Sequence, residues 1–396
     1  MKSGDRVLVL LCFMALITYL DRICISVAGP RIQEELGIGP AEWGWVVGAF
    51  ALAYGLFEVP SGWWGDRVGA RGPLTRIVAW WSVFTALTGA VTSLGPLVAV
   101  RFLFGAGEAG AFPIASASIA RWFPAEARAK AFGWIWMTSQ LGGAAAPLLV
   151  VPIQLHFGWR ASFFVFGAVG IVWSVAWFTW YRDKPAERPA ADWIGLLGCR
   201  SVWLMMGIGF CYVFGQYFFI AWMHTFLVKG RGFQETELYF TAAPFLLGAV
   251  SNLGGGALGD RAVSRFGLKW GRRAMGVGGL SVSAICFAAA ALVDDKASML
   301  ILLSASYAGT TLQQPSVWAA CVDVGGRQAG AVSALMNTAA QVGSFVLSVT
   351  FGGLAARWGY DVALAPVVVS LAAGAVLWLF VDAGGRGGLE REAAAQ

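Results

Sequence analysis

Apolar residues follow one another in long blocks along the chain, and charged residues are concentrated in the short segments between the blocks. A helix that crosses the hydrocarbon core of a bilayer needs about 20 mainly apolar residues. Twelve blocks meet this condition: 7–29, 42–63, 73–94, 97–121, 129–153, 161–181, 201–227, 236–258, 271–293, 298–320, 328–353 and 362–381. The pattern predicts an all-α membrane protein with twelve transmembrane helices.

The composition agrees with this prediction. Of the 396 residues, 58% are hydrophobic and 13% are charged, whereas roughly 25% of the residues in an ordinary soluble domain are charged. A soluble protein of this length would need far more polar surface to cover its cores. These numbers exclude a soluble enzyme and a disordered chain.

The residue types that bind metals or act as nucleophiles are sparse. The chain has two histidines and six cysteines, and no two cysteines have the C-x-x-C spacing. This set supports neither a metal centre nor a catalytic triad, so we expect no enzyme and no cofactor. The basic residues behind the net charge of +6 are dispersed, so nucleic acid is not an expected partner.

The loops predict how the chain is divided and oriented. The longest polar stretch lies near the midpoint of the sequence. We therefore expect an N-terminal six-helix bundle over 1–181, a cytoplasmic linker over 182–200, and a C-terminal six-helix bundle with a short tail over 201–396. With the N-terminus inside, the cytoplasmic loops hold 20 lysines and arginines and the outer loops hold 6. Because basic residues favour cytoplasmic loops, both termini are expected in the cytoplasm and the protein in the inner membrane.

A short charged motif occurs once in each predicted half. Gly62–Arg71 follows the second predicted helix and Gly256–Arg261 follows the eighth, and both contain the pattern G-x-x-x-D-R. Motifs at corresponding loops indicate duplication, and parallel repeats of six helices are an architecture of secondary transporters. We interpret the charged residues of these loops as gating contacts at the cytoplasmic face: Asp66, Arg67, Arg71, Asp260 and Arg261.

Five charged residues lie well inside predicted helices: Asp21, Arg22, Glu58, Arg101 and Glu108. A charge inside a bilayer is costly unless it is paired or faces water, so each of them is a candidate functional residue. Arg22 and Arg101 could together clamp a carboxylate or a phosphate. Arg101 and Glu108, seven residues apart on one helix face, could instead form a purely architectural ion pair.

Several stretches resemble a known family. Gly62–Arg71 looks like the loop signature of the major facilitator superfamily. Four further stretches resemble its anion:cation symporter branch: Thr18–Arg22, Arg101–Glu108, Arg121–Pro124 and Ser333–Thr338. That branch includes bacterial sugar-acid/proton symporters and vesicular-glutamate-type carriers. The resemblance implies a carrier of sugar acids, aromatic acids, phosphate or amino-acid anions, often together with protons.

The intramembrane charges and the resemblance together give a candidate site. The expected substrate-binding residues are Arg22, Arg101, Tyr54, Gln140, Asn337 and Gln314. The expected proton-coupling residues are Asp21, Glu108 and Glu58. The uncharged polar residues among them could alternatively serve only as hydrogen bonds between helices.

The chain departs from the family pattern at two positions. Glu58 occupies a place where relatives commonly have an uncharged glutamine, so this protein is expected to hold a third acid in its N-terminal half. His224 stands where a proline is usual. We interpret His224 as a hydrogen-bonding residue at the outer rim rather than as a proton carrier.

One motif points to a different chemistry and is rejected. Gly105–Gly110 matches the pattern G-x-G-x-x-G, but a nucleotide-binding fingerprint requires a preceding strand and an exposed helix start. These glycines are predicted inside an apolar helix, where small residues permit close packing against a neighbour.

The sequence therefore predicts a secondary active transporter that moves a small organic anion by proton symport, with the two halves rocking around a central site. Its expected partners are the anion, the proton and the lipid bilayer, and it is expected to be a monomer. Sodium coupling, export and antiport remain open alternatives. A membrane sensor or an intramembrane enzyme is a more distant one, because two histidines at unrelated depths do not supply a hydrolase site.

Overall fold

The computed structural model describes residues 3–123, 125–183, 193–325 and 328–382. Every regular element within these ranges is a helix, as the sequence predicts. Twelve long helical passes can be followed along the described residues. Within the described residues, nine helical segments are long and apolar enough to cross a membrane, and one of these nine, Glu235–Leu292, contains two passes.

The passes are numbered α1–α12 in chain order. The first six are α1 (Ser3–Leu36), α2 (Pro40–Val68), α3 (Arg71–Thr88), α4 (Leu94–Glu108 and Ala111–Trp122), α5 (Ala125–Phe157) and α6 (Trp159–Trp180). A short helix, Trp193–Leu197, then precedes α7, which begins with Arg200–Tyr217. The next two, α8 and α9, are the arms of Ala242–Leu292, which meet at a non-helical Gly267. The last three are α10 (Lys296–Gly325), α11 (Ala329–Trp358) and α12 (Tyr360–Trp378).

Helix α4 is broken where the sequence predicts one continuous helix. Its first arm ends at Glu108, and Gly110 adopts a left-handed conformation with φ 90° before the second arm begins. A left-handed residue inside a helix is tolerated chiefly when it is glycine. The interpretation that all the G-x-G-x-x-G glycines lie inside a helix is therefore wrong for Gly110. It holds for Gly105, where a Cβ would lie 2.3 Å from the Phe50 carbonyl oxygen, so α4 and α2 touch there.

Helix α7 is also irregular. After Arg200–Tyr217 it continues through a π-helical turn, Phe218–Trp222, a short α-helical turn, Met223–Thr225, and a second π-helical turn, Phe226–Gly230. Such π-turns are rare and frequently occur at functional sites. A 3₁₀ helix, Glu235–Thr241, then leads into α8.

The first six helices contact the last six along a shared interface. Helix α2 lies against α11 so closely that a Cβ at Gly44 would be 2.5 Å from the Ser348 carbonyl oxygen. Helix α5 meets α10 where the rings of Trp136 and Trp318 are 6.1 Å apart. These contacts place α2 opposite α11 and α5 opposite α10.

At the end of the molecule opposite the two chain termini, polar contacts join the first six helices to the last six. Arg31 of α1 forms an ion pair with Glu235 (Nε–Oε1 2.7 Å). The Gln33 side-chain amide donates a hydrogen bond of 3.1 Å to the Thr225 hydroxyl. We call the Arg31–Glu235 ion pair and the Gln33–Thr225 hydrogen bond the outer latch.

Near the other end, each set of six helices is tied together by its own charged residues. In the first set, the carboxylate of Asp183, just after α6, accepts hydrogen bonds from the backbone amides of Ala70 and Arg71 at the start of α3. The Arg71 guanidinium donates to the Phe178 carbonyl oxygen (2.8 Å). In the second set, Lys269 pairs with Asp382 at 2.8 Å. Neither aspartate is among the residues predicted from the sequence.

Candidate functional site

The centre of the site is an ion pair between α1 and α4. The Arg22 Nε donates to the Glu108 Oε1 at 2.6 Å, and the two side chains are only 10% and 1% exposed. The alternative of an architectural pair between Arg101 and Glu108 is wrong. Among the described residues, no carboxylate oxygen lies within 4 Å of the Arg101 guanidinium.

Arg101 is a buried cation without an ionic partner in the part of the chain that the structure describes. The residue is 3% exposed, and its Nε has no hydrogen-bond partner there. Its guanidinium lies over the rings of Phe50 (5.0 Å) and Phe104 (4.7 Å). Because burying an unpaired charge is costly, this arrangement is typical of a site that a guest anion completes.

Asp21 lies next to Arg22 in the sequence but has different neighbours. Its Oδ2 accepts a hydrogen bond of 3.5 Å from the Thr85 hydroxyl on α3, and its other oxygen is buried without a hydrogen-bond partner among the described residues. Asp21 therefore forms its hydrogen bond within the first six helices, whereas Glu108 forms the ion pair with Arg22.

Glu58 connects the two sets of helices. Its carboxylate accepts a hydrogen bond from the side-chain amide of Asn337 on α11. Tyr54, one turn earlier on α2, places its ring 4.8 Å from the Arg22 guanidinium. The structure thus places the Tyr54 ring against Arg22, while Glu58 and Asn337 form a direct hydrogen bond across the interface.

The two predicted glutamines have different surroundings. The Gln140 side-chain oxygen on α5 accepts a hydrogen bond of 3.0 Å from the Tyr307 hydroxyl on α10, across the interface. The Gln314 side-chain oxygen accepts one of 3.2 Å from Asn252 on α8, within the last six helices. Gln140 therefore contacts both sets of helices, while the hydrogen bond of Gln314 connects two helices of one set.

His224 is buried between the two sets rather than placed on an open rim. The Thr241 hydroxyl donates to the Leu238 carbonyl oxygen (2.6 Å), so it accepts a hydrogen bond from the His224 Nε2 at 2.9 Å. The Nδ1 then accepts from the Ser26 hydroxyl, also at 2.9 Å. His224 is a hydrogen-bonding residue, as predicted, and it joins α1 to α7.

The expected gating residues occupy the ends of the helices near the termini. Arg67, Asp260 and Arg261 are exposed there, and Arg71 binds α6 as described above. The side chain of Asp66 lies outside the described part of the chain, as does most of the expected linker 182–200. Their gating role stays a prediction.

Sequence reasoning missed the aromatic residues that surround the arginines. Tyr19 lies three residues before Arg22, and its ring is 5.7 Å from that guanidinium. Phe104 lies three residues after Arg101. Because residues three or four apart share a helix face, this spacing was a usable signal. Phe50 gave no such signal, because it contacts both arginines from another helix.

No metal site is evident in the described ranges, where no group of three or more His, Cys, Asp and Glu could hold an ion. The candidate site is instead a pair of buried guanidiniums with one strong ion pair. It can bind an anion through charge-assisted hydrogen bonds, and its carboxylates can exchange protons.

Comparisons with known proteins agree with this chemistry. The chain is 34% identical to a probable sulfoacetate transporter of Cupriavidus necator, over 96% of this chain and 94% of that protein. It is 30% identical to the D-galactonate transporter of Escherichia coli, over 95% and 94%. It is 27% identical to sodium-dependent phosphate transport protein 1 of Arabidopsis thaliana, over 96% and 79%. These relatives are transporters and not enzymes.

Solved structures show the same fold. A bacterial homolog of the human lysosomal transporter Spinster, crystallised in an inward-facing and occupied conformation, matches with a TM-score of 0.79 and 21% identity, over 97% of this chain and 98% of that one. The family model of the Major Facilitator Superfamily matches residues 11–348. This multi-pass membrane protein therefore belongs to the Major Facilitator Superfamily of transporters.

Proposed function

We propose that this protein is a secondary active transporter that carries a small organic anion together with protons. The observation that carries the proposal is Arg101, a buried guanidinium without an ionic partner in the described residues, beside the ion pair of Arg22 and Glu108. An anion bound between the two arginines would neutralise the unpaired charge and receive bidentate hydrogen bonds.

The relatives support an anionic substrate. Sulfoacetate, D-galactonate and phosphate, which appear in the names of the three relatives above, are all anions. They share a negatively charged acid group but differ in size and in the number of hydroxyl groups. We therefore propose the acid group as the part of the substrate that the arginines recognise. Tyr54, Gln140 and Asn337 hydrogen-bond the rest of the substrate, and Gln314 is the most peripheral of the proposed contacts.

Proton coupling follows from competition for Arg22. While Glu108 is ionised it occupies the Arg22 guanidinium, which is then less available to a substrate. A proton on Glu108 cancels that attraction and frees Arg22 for the anion. Asp21 takes a second proton inside the first six helices, and Glu58 adds a third acid whose bond to Asn337 spans the interface.

The transport cycle is proposed to be alternating access by two six-helix bundles, 1–181 and 201–396, joined by a linker over 182–200. Both termini are placed in the cytoplasm and the protein acts as a monomer in the inner membrane. The outer latch then lies on the external side. It has to break whenever the site opens to that side.

Breaking the outer latch is expected to increase the population that is open to the outside. Arg31→Ala and Glu235→Ala each remove an ion pair that is partly exposed, and such pairs contribute about 0.2 to 1 kcal/mol, which corresponds to an increase of up to about fivefold. Electron–electron distance measurements between spin labels at Glu34 and Leu292 report this population. Arg160→Ala is the matched control, because its ion pair with Glu35 joins two helices of the same set. An unchanged distance distribution in both latch variants would contradict the latch.

The proposed function is tested with purified protein in liposomes. Sulfoacetate, D-galactonate, D-glucuronate and phosphate are offered under an inward pH gradient, an inward sodium gradient, or neither. We expect at least one anion to be concentrated by the pH gradient alone. Concentration by the sodium gradient alone would replace proton coupling by sodium coupling. Failure of all four anions to bind or move would reject an organic-anion carrier.

A further inference from the structure

The ring of Phe50 is shared by the two buried arginines. The Arg22 guanidinium carbon lies 5.1 Å from the centre of this ring, and the Arg101 guanidinium carbon lies 5.0 Å from it. Both distances are within the range in which a cation is attracted to the face of an aromatic ring. The distance between the two guanidinium carbons therefore cannot exceed the sum of these two distances.

Each arginine also has a second ring. Arg22 contacts the ring of Tyr54 as well, with the centroid 4.8 Å away, and Arg101 contacts the ring of Phe104 at 4.7 Å. Phe50 is in contact with both of the other rings, at 5.8 Å from Tyr54 and 5.4 Å from Phe104. The three rings form a continuous row with Phe50 in the middle. We call them the aromatic row.

The position of Phe50 is fixed by the backbone as well as by its ring. The residue is 1% exposed, and its carbonyl oxygen lies so near Gly105 that a Cβ there would clash with it, so α2 and α4 touch beside Phe50. The backbone that carries the ring is therefore packed directly against α4. The ring itself contacts the arginine of α1 and the arginine of α4.

An aromatic ring suits this position for an electrostatic reason. Two guanidiniums repel each other, and a carboxylate placed between them would compete with the substrate for their hydrogen-bond donors. The ring face attracts both cations without accepting a conventional hydrogen bond from either. It holds the charges while the N–H groups that Glu108 does not use stay available.

We propose that Phe50 is a positioning residue of the anion site, which holds Arg22 and Arg101 in the arrangement that one anion can bridge. This inference rests on the proposed function. Because the arginines are ordered before the anion arrives, less conformational entropy is lost on binding. Weakening the attraction between the ring and the cations is expected to weaken anion binding while the packing of the helices is preserved.

The test replaces Phe50 by phenylalanines with one, two and three fluorine atoms on the ring, which change its shape little but progressively remove the negative charge of its face. Binding of sulfoacetate and D-galactonate is measured by calorimetry in detergent, and the thermal midpoint of the anion-free protein is recorded. We expect the dissociation constant to rise at each step, by about tenfold in total, with little change in the thermal midpoint. Phe50→Leu should weaken binding at least as much.

Phe57 provides the matched control. It is on the same helix, is partly exposed, and contacts Phe102 at 6.4 Å rather than the arginines. The same fluorinated residues at Phe57 should leave the dissociation constant unchanged. If the wild type binds one of these anions and every fluorinated Phe50 variant binds it with the same affinity, the positioning role is overturned and the proposed function stays intact. A wild-type protein that binds none of the four anions of the liposome experiment would overturn the proposed function and this inference with it.

Discussion

Replacing Arg101 with alanine is expected to abolish anion binding, with a loss of affinity of about 100-fold or more, because truncating a buried charge that hydrogen-bonds its ligand costs several kcal/mol. The anion-free protein should not be destabilised to a similar extent. Arg101 forms no ion pair among the described residues, and its Nε has no hydrogen-bond partner there, so its removal breaks no direct contact with a carboxylate. Calorimetric titration measures the affinity, and the thermal midpoint without anion measures the stability.

Two further variants make this result specific. Arg101→Lys should recover little binding, because an ammonium group cannot reproduce the planar fork of a guanidinium. Arg76→Ala is the control, since Arg76 also lies over aromatic rings, at 4.9 Å from Trp64, but is exposed and lies on α3 rather than on α4. It should bind the anion normally. Wild-type affinity in Arg101→Ala would remove this arginine from the substrate site.

The fold was largely predictable because a bilayer imposes a simple condition on each segment. Long apolar blocks can only become spanning helices, since a buried backbone must satisfy its own hydrogen bonds. The irregular parts were not predictable in the same way. The break at Gly110 and the π-turns on both sides of His224 lie within apolar segments, and apolar composition does not distinguish them from regular helix.

The candidate site was predictable as a set of residues but not as a set of pairs. The free-energy cost of placing a charge inside a bilayer is enough to identify Arg22, Arg101 and Glu108 as functional candidates, because charged residues are rare there unless they have a function. Spacing along α4 suggested that Arg101 and Glu108 belong together. The structure pairs Glu108 with Arg22, 86 residues away, because the choice depends on how α1 and α4 face each other, and no local pattern records that.

Asp183 illustrates a related gap. Asp183 is an exposed residue after a helix, a place where aspartate is common and carries no signal by itself. Its role is evident only in the folded structure, where two backbone amides at the start of α3 donate hydrogen bonds to its carboxylate. Negative charge at a helix N-terminus is stabilising, so this contact holds the charged loop between α2 and α3 against α6.

Neutral replacement of Glu108 is expected to separate anion binding from proton coupling. Glu108→Gln removes the ion pair that occupies Arg22 and imitates the protonated acid. The variant should therefore bind the anion at least as well as the wild type and with less dependence on pH. It should still exchange labelled for unlabelled anion across a liposome membrane, because exchange requires no net release of a proton. Uphill uptake driven by a pH gradient should fail.

Neutral replacements of two other acids, Asp21 and Glu58, provide the variants with which Glu108→Gln is compared. Asp21→Asn should also abolish uphill uptake, but because Asp21 bonds to Thr85 and not to Arg22, its anion affinity should keep the pH dependence of the wild type. Glu58→Gln should retain coupling, since an uncharged glutamine can still bond to Asn337 across the interface. If Glu108→Gln and Asp21→Asn both concentrate the anion on a pH gradient alone, neither acid carries the coupled proton. The bond between Glu58 and Asn337, which must break each time the two sets of helices separate there, would then be the first place to look for it.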